Sequence, residues 1–212
     1  RFMKKMKAAV LIKPRQFEIK EVPVPEIKET DVLVKIKATA ICGTEVPVYT
    51  GEHTGNYPVI MGHETAGVIV ETGPAVTSVK SGDPVFVISG ISCGFCKYCR
   101  QGKDNLCPNG GLLGRELQGS FAEYLAVPER AVFKLPENFP IQHATTLNLL
   151  MTIIHGHKRS GGIFPGQSVA IIGLGPAGLA QILFVKQYGA YPCLLYTSDA
   201  ADELDGVDLG GR

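Results

Sequence analysis

The run CGFCKYCRQGKDNLC, residues 93–107, contains four cysteines whose spacing suits a single tetrahedral metal ion: Cys93, Cys96, Cys99 and Cys107. The two adjacent CxxC steps are too tight for convenient disulfide pairing, and the longer loop returns the fourth thiolate. The alternative is a set of free or disulfide-bonded surface cysteines, which the spacing and the lack of a secretory-signal pattern disfavour. Because all four ligands come from the protein, we expect a closed structural zinc site that holds a loop in place and does not catalyse.

The composition is that of an ordinary globular protein, with 212 residues, 45% hydrophobic and 19% charged. A formal net charge of +1 gives no reason to expect nucleic acid or an acidic membrane as a partner. The uncharged run of residues 168–185 is interrupted by Gly173, Gly175 and Pro176, so it is not a membrane span. We expect a cytoplasmic protein, because a reducing compartment keeps thiolates free for metal.

The pattern of apolar and polar residues indicates a strand-rich region up to about residue 140 and a helix after it. Residues 31–38 place Val32, Val34 and Ile36 on one face and lysines on the other, which predicts a half-buried strand. Further β-rich runs are predicted at 67–71, 84–88 and 121–127. After Pro140 the character changes, and residues 142–158 are predicted to form a helix that enters a second unit. The fold class is therefore α/β overall, with a β-rich first domain.

The second unit contains a glycine-rich motif, GLGPAG, between a predicted apolar strand at 168–172 and a predicted helix at 179–188. This is the context that a dinucleotide-binding G-x-G-x-x-G motif requires. The first glycine would make the tight turn, the second would admit a pyrophosphate, and the third would let helix and strand pack closely. A simple tight turn is the alternative, and the strand and helix on either side favour nucleotide binding. The candidate cofactor-binding residues are therefore Gly173, Leu174, Gly175, Pro176, Ala177 and Gly178.

A second candidate metal site lies towards the N-terminus. His63 stands in GHETAG, residues 62–67, and Cys42 precedes it by 21 positions in CGTE, residues 42–45. A single cysteine usually packs in the hydrophobic core, and a single histidine is usually a polar group whose hydrogen bonds are satisfied. Here each has a glycine and an acidic residue close by, which provide open backbone and an acceptor for a ligand's hydrogen bond. Cys42 and His63 are plausible as two ligands of an open catalytic zinc site.

Taken in order, the CGTE turn, the pattern GHE-x2-G-x5-G-x2-V, the four-cysteine lobe and the GLGPAG loop resemble the zinc-containing medium-chain dehydrogenases, the alcohol dehydrogenase family. The resemblance runs from about Met6 to about Pro192 and implies a GroES-like catalytic domain followed by a Rossmann domain. We place the first over 6–145, and a linker helix with the first βα unit of a truncated Rossmann domain over 146–192. The resemblance further implies hydride transfer between an alcohol or polyol and NAD or NADP, with zinc polarising the oxygen.

The resemblance also implies roles for particular residues. Cys42 and His63 would bind the catalytic zinc, Glu64 would lie beside the metal as a supporting residue or alternate ligand, and Thr44 would pass on the alcohol proton. The third ligand position of the family falls on Asn148, whose neutral amide is a weak zinc ligand. Pro47 stands where the family often has a histidine that ends the proton relay. Two alternatives remain, namely a reductase of the same fold that lacks catalytic zinc, and a non-catalytic zinc-stabilised module.

The last 20 residues, 193–212, do not continue a Rossmann domain as expected. Back-translated, CLLYTSDAADE resembles the mosaic-end adapter of transposase-based sequencing libraries, and VDLGGR fits the distal segment of that adapter. We therefore expect a non-native tail, with a natural divergent strand as the alternative. The position that chooses NAD over NADP would lie in this tail, and a chain with so little of the nucleotide fold is predicted to be inactive. We expect the intact parent to form a homo-oligomer that acts on a small alcohol or carbonyl substrate.

Overall fold

The computed structural model describes residues 4–191 and 193–196. The chain divides into two compact units, Arg1–Leu147 and Asn148–Arg212. The predicted tail lies outside the described residues, except for Cys193–Tyr196. Within the described part of the chain, no helix combines the length and the apolar character that crossing a membrane would need.

The first unit is built almost entirely from antiparallel strands. Its elements are β1 (Lys5–Lys13), β2 (Gln16–Pro23), β3 (Asp31–Ala40), α1 (Glu45–Thr50), β4 (Val59–Ile60), β5 (Glu64–Thr72), β6 (Pro84–Val87), β7 (Gly90–Ile91), β8 (Gly111–Leu112), β9 (Tyr124–Pro128) and β10 (Val132–Lys134). The strands form a five-stranded sheet in the order β10-β6-β5-β3-β9 and a three-stranded sheet in the order β2-β1-β4. β7 and β8 pair with each other in a separate ribbon.

Alternation of side chains explains why these segments form strands. In β3 the side chains of Val32 and Val34 are fully buried while Lys35 and Lys37 are exposed, as the sequence predicts. β3 lies between β5 and β9, and its valines pack on buried residues of both neighbours. The antiparallel pairing of β3 with β5 places the C-terminal end of β3, and therefore Cys42, next to the start of β5.

The second unit begins at the second residue of α2 (Leu147–Arg159) and contains β11 (Val169–Ile172), α3 (Pro176–Gln187) and β12 (Cys193–Tyr196). β11 and β12 pair in parallel, and α3 makes the crossover that a parallel pair requires. Phe184 and Val185 of α3 are buried in one cluster with Ile171 of β11.

The predicted helix at 142–158 differs in its first turn. Residues Ile141–Thr146 form a 3₁₀ helix, and the α-helix begins only at Leu147. The hydroxyl groups of Thr145 and Thr146 donate to the carbonyl oxygens of Gln142 and His143, at 3.0 Å and 2.7 Å. Bonds of this kind from threonine to a carbonyl three residues earlier compete with the α-helical pattern and favour the tighter turn.

Candidate functional site

The four-cysteine lobe is a loop of the first unit that begins after β7 and ends before β8. Its sulfur atoms all lie within 4.8 Å of one another. The separations between Sγ atoms are 3.9 Å for Cys93–Cys99, 3.5 Å for Cys96–Cys99 and 3.9 Å for Cys96–Cys107. A zinc ion with tetrahedral bonds of about 2.3 Å to sulfur would hold neighbouring sulfurs about 3.8 Å apart. The lobe therefore fits a tetrahedral thiolate site.

The thiols of this lobe have opposite tendencies to ionise when no metal is bound. The pKa of Cys93 falls to about 6, chiefly because the backbone of Phe95 hydrogen-bonds to its sulfur. The pKa of Cys99 rises to about 12, first because of its burial and then because of hydrogen bonds with the sulfurs of Cys96 and Cys107. Several negative sulfurs at these distances repel one another unless a cation lies among them, which is what a bound zinc would provide.

The second group of possible ligands brings together Cys42, His63 and Glu64, whose ligand atoms also lie within 4.8 Å of one another. Cys42 follows β3, and His63 and Glu64 stand at the start of β5. Ala40 pairs with Glu64 across the two strands, so the sheet register brings the cysteine to the histidine. His63 is buried, whereas Cys42 and Glu64 are half-buried. A protein ligand set of thiolate, imidazole and carboxylate suits zinc.

Glu45 contacts two members of this group, Cys42 and His63. Its carboxylate is buried, accepts a hydrogen bond from the backbone N–H of Cys42 at 3.0 Å, and lies 3.2 Å from Nδ1 of His63. Burial lowers the pKa of His63, but the hydrogen bonds to Glu45 and Cys42 outweigh it, so the pKa is raised overall. The sequence pattern indicated an acidic neighbour for Cys42. It did not indicate the contact between Glu45 and His63, which the fold creates between residues 18 positions apart.

Thr44 lies at the same group. Its hydroxyl donates to Sγ of Cys42 at 3.2 Å and is 3.5 Å from Nε2 of His63. The predicted proton-handling hydroxyl is therefore in contact with two of the three candidate ligands. Pro47 occupies the middle of α1, where it offers no side-chain group that could take a proton further.

Asn148 belongs to the second compact unit, where it is buried near the start of α2. Its role as a third zinc ligand stays a prediction. Over residues 4–191 and 193–196, the groups of three or more histidine, cysteine or acidic side chains that could hold a metal ion are the two described above. Of these, the group at Cys42 has a third protein ligand available in Glu64.

The glycine-rich turn joins β11 to α3. Gly173 has a φ of +88°, a conformation that favours glycine, and Gly175 precedes the first residue of α3, with Pro176 at the start of the helix. A Cβ on Gly178 would lie 1.9 Å from the carbonyl oxygen of Gly173, whereas a Cβ on Gly175 would meet nothing within 4 Å. Close packing at Gly178 and open space at Gly175 are what a turn that cradles a pyrophosphate over a helix N-terminus requires.

The other two residues of the motif, Leu174 and Ala177, differ from the glycines in what they can offer a cofactor. Leu174 is half-buried in the turn itself, and Ala177 is exposed in the first turn of α3. Both side chains are apolar, so any contact with a phosphate must come from the backbone. The N–H of Ala177 is among the first of the helix, which have no partner within it and can face an anion. Cofactor binding by Leu174 and Ala177 stays a prediction, and it is confined to their main chain.

An apolar cavity in the first unit is a different feature. It has a volume of about 570 Å³ and is lined by side chains such as Met6, Val22 and Leu125. Its lining includes none of the three ligands of the second metal group. Because its walls are mainly hydrophobic-core side chains and it lacks the ligand cluster, we assign the chemistry to the metal site and not to this cavity.

Comparison with known proteins agrees with the fold. The alcohol dehydrogenase GroES-like domain family matches residues 28–137, and the chain belongs to this family. The chain is 37% identical over 190 residues to a sorbitol dehydrogenase from Bacillus subtilis (strain 168), which covers 87% of this chain and 54% of the relative. It is 40% identical over 200 residues to an L-threonine 3-dehydrogenase from Pyrococcus furiosus, covering 90% of this chain and 56% of the relative.

Among solved structures, the chain is similar to a proposed zinc-binding dehydrogenase from Sinorhizobium meliloti 1021 bound to NADP. The TM-score is 0.86 at 36% identity, and the match covers 93% of this chain and 58% of the other. The chain thus spans little more than half the length of the relatives that it matches.

Proposed function

We propose that the intact parent of this chain is a zinc-dependent oxidoreductase of the alcohol and polyol dehydrogenase type, which transfers a hydride between an alcohol and NAD or NADP. The observation that carries the proposal is the grouping of Cys42, His63 and Glu64, whose ligand atoms lie within 4.8 Å of one another. Three protein ligands that leave further coordination positions open are typical of catalytic zinc, in contrast to the closed four-cysteine lobe.

Each residue of the group has a definable task. Cys42 and His63 would hold the zinc, and Glu64 would be a third ligand or lie beside the metal. Glu45 fixes the imidazole by its contact with Nδ1, which directs the other ring nitrogen towards the ligand group. When bound, zinc would polarise the alcohol oxygen and the nicotinamide would accept the hydride.

Thr44 would accept the proton of the alcohol. Its Oγ1 is the hydroxyl in contact with Cys42 and His63, so it is placed to receive a proton from an oxygen bound in the site. Since Pro47 cannot pass that proton on, we propose that water carries it to solvent. The cofactor would be anchored by its pyrophosphate over the glycine-rich turn, residues 173–178, where the open space at Gly175 allows close approach.

The wider biology is inferred from the relatives and from the chemistry. The relatives are named for sorbitol and L-threonine, which supports a small alcohol or polyol as the substrate. Five described cysteines are free, which suits a reducing compartment such as the cytoplasm. A homo-oligomeric state remains part of the proposal.

Zinc content tests the proposed function directly. We expect two zinc ions per chain in the purified protein, of which Cys42→Ser removes one and Cys93→Ser removes the other. A wild-type protein with one zinc that depends on Cys93 alone would contradict the proposal and would favour the reductase without catalytic zinc. Circular dichroism of each variant controls for loss of the fold.

A further inference from the structure

The segment that returns from the cysteine lobe, residues 114–121, runs along residues 60–62, which come immediately before His63. We call it the return segment. Four hydrogen bonds join the two stretches. The N–H of Gly119 donates to the carbonyl oxygen of Ile60 at 2.6 Å, that of Ser120 to Gly62 at 3.0 Å, and that of Phe121 to Met61 at 2.8 Å. The N–H of Ile60 donates to Oε1 of Gln118 at 2.7 Å. The backbone leading to His63 is therefore held residue by residue.

Steric contacts make this attachment tighter than hydrogen bonding alone would. A Cβ on Gly119 would lie 2.3 Å from the carbonyl oxygen of Gly62, and a Cβ on Gly114 would lie 2.7 Å from the nitrogen of Gly62. Gly62 itself has a φ of +96°, and a Cβ there would lie 2.5 Å from the ring of Phe121. The return segment thus touches the backbone of residue 62 from two sides, at distances that only glycine permits.

The hydroxyl group of Ser120 extends the attachment to the other candidate ligands. Ser120 is fully buried, and its Oγ lies 2.8 Å from Oγ1 of Thr39, which is 3.5 Å from Oγ1 of the fully buried Thr65. Thr39 and Thr65 are paired residues of β3 and β5, and Thr65 directly follows Glu64. The hydroxyl chain therefore crosses from the return segment to the two strands that carry Cys42 and Glu64 at their ends.

From this geometry we propose that the return segment is a clamp that positions His63 and Glu64 for metal binding, with Gly119 and Ser120 as its positioning residues. The proposal rests on the proposed function, since it assumes a metal at Cys42, His63 and Glu64. An ordinary packing role would affect the stability of the whole first unit and both metal sites together. A clamp affects the metal at Cys42 selectively, because the contacts of Gly119 and Ser120 are with residues 60–62 and with Thr39, which lie beside that group.

The experiment compares Ser120→Ala and Gly119→Ala with Gly90→Ala in the full chain. Gly90 is the matched control, since a Cβ there would meet nothing within 4 Å and it lies beside the same lobe. Cobalt is titrated into the metal-free proteins, and the ligand-field bands of the Cys42 site are followed separately from the thiolate bands of the lobe. We expect Ser120→Ala to weaken cobalt binding at the Cys42 site about tenfold and to shift its bands, as substitutions of residues that support metal ligands do. Lobe binding and the Gly90→Ala variant should match the wild type.

Gly119→Ala is expected to abolish cobalt binding at the Cys42 site. If Gly119→Ala does not fold, the cobalt affinities of Ser120→Ala test the clamp. The clamp is overturned if Ser120→Ala leaves both affinities within twofold of the wild type, or if it weakens both sites in parallel. A wild-type chain that binds cobalt only at the lobe would overturn the proposed function as well as the clamp. The two failures are therefore distinguishable from the wild-type titration alone.

Discussion

Glu45 illustrates how a single buried carboxylate can organise a metal site. It contacts the backbone of Cys42 and the ring of His63 at the same time, so it sets the relative position of two candidate ligands that are far apart in the chain. A carboxylate in this position fixes the orientation of the imidazole and increases its basicity as a ligand. Of its two carboxylate oxygens, Oε2 accepts the hydrogen bond from the backbone of Cys42, whereas Oε1 is buried without a hydrogen bond and has Nδ1 of His63 as its nearby charge partner when the imidazole is protonated.

We expect Glu45→Gln to weaken zinc binding at Cys42 and His63 by about 10- to 100-fold while zinc in the cysteine lobe is retained. The amide has the same shape, but it lacks the negative charge that holds the imidazole. Zinc affinity measured by competition with a chromophoric chelator checks this. Glu52→Gln is the matched control, because Glu52 is exposed and lies beyond the end of α1. Equal affinity in both variants would contradict the role given to Glu45.

The packing of α3 against β11 depends on the absence of a side chain at one glycine of the turn that joins them. α3 approaches β11 so closely at Gly178 that a methyl group there would overlap the carbonyl oxygen of Gly173. Gly175, three residues earlier, faces open space. The two glycines of the motif are therefore needed for different physical reasons. Gly178 allows close packing within the unit, and Gly175 leaves room for a ligand.

Gly178→Ala is expected to destabilise the second unit strongly, because the clash involves backbone on both sides and cannot be relieved by a side-chain rotation. Gly175→Ala should leave stability almost unchanged, since its backbone is extended and the new methyl group meets no neighbour. Limited proteolysis of α3 provides the measurement, with faster cleavage in Gly178→Ala only. Equal cleavage of the two variants would show that the close approach at Gly178 is unimportant.

In the first unit, buried valine, isoleucine and leucine side chains of the five-stranded sheet form one core cluster, and we expect their burial to be a main source of stability. The candidate metal group of Cys42, His63 and Glu64 lies at the ends of β3 and β5 of this sheet, so the core supplies the rigid support from which these side chains project. Ile69 is 1% exposed and belongs to this core, whereas Ile19 on β2 is 74% exposed.

Ile69→Ala should lower the free energy of unfolding of the first unit by about 2 to 5 kcal/mol, because it removes buried methyl groups and leaves a cavity. Ile19→Ala removes the same atoms from the surface and should change stability by about 0.5 kcal/mol or less. Urea unfolding followed by circular dichroism compares the two variants at equal zinc content. Similar losses in both would mean that the inner face of the sheet is not the main source of stability.

Local patterns were sufficient for the family and for picking out the residues that the fold brings together as two groups of possible metal ligands. The cysteine spacing, the alternation in β3 and the strand–glycine–helix context are short-range signals, so they can be recognised without knowing the fold. The family match and the two ligand groups agree with what these signals indicated. The start of α2 was misplaced because side-chain hydroxyls, which no periodicity reveals, favour a 3₁₀ turn over residues 141–146.

Other features follow from the fold alone, because they join residues that are distant in the chain. The contact of Glu45 with His63 depends on the register between β3 and β5, and the hydroxyl chain from Ser120 to Thr65 depends on how the return segment packs on residues 60–62. The chemical identity of each ligand is encoded in the sequence, residue by residue. Their mutual distances are set by sheet pairing and close packing, which arise only when the whole first unit is assembled.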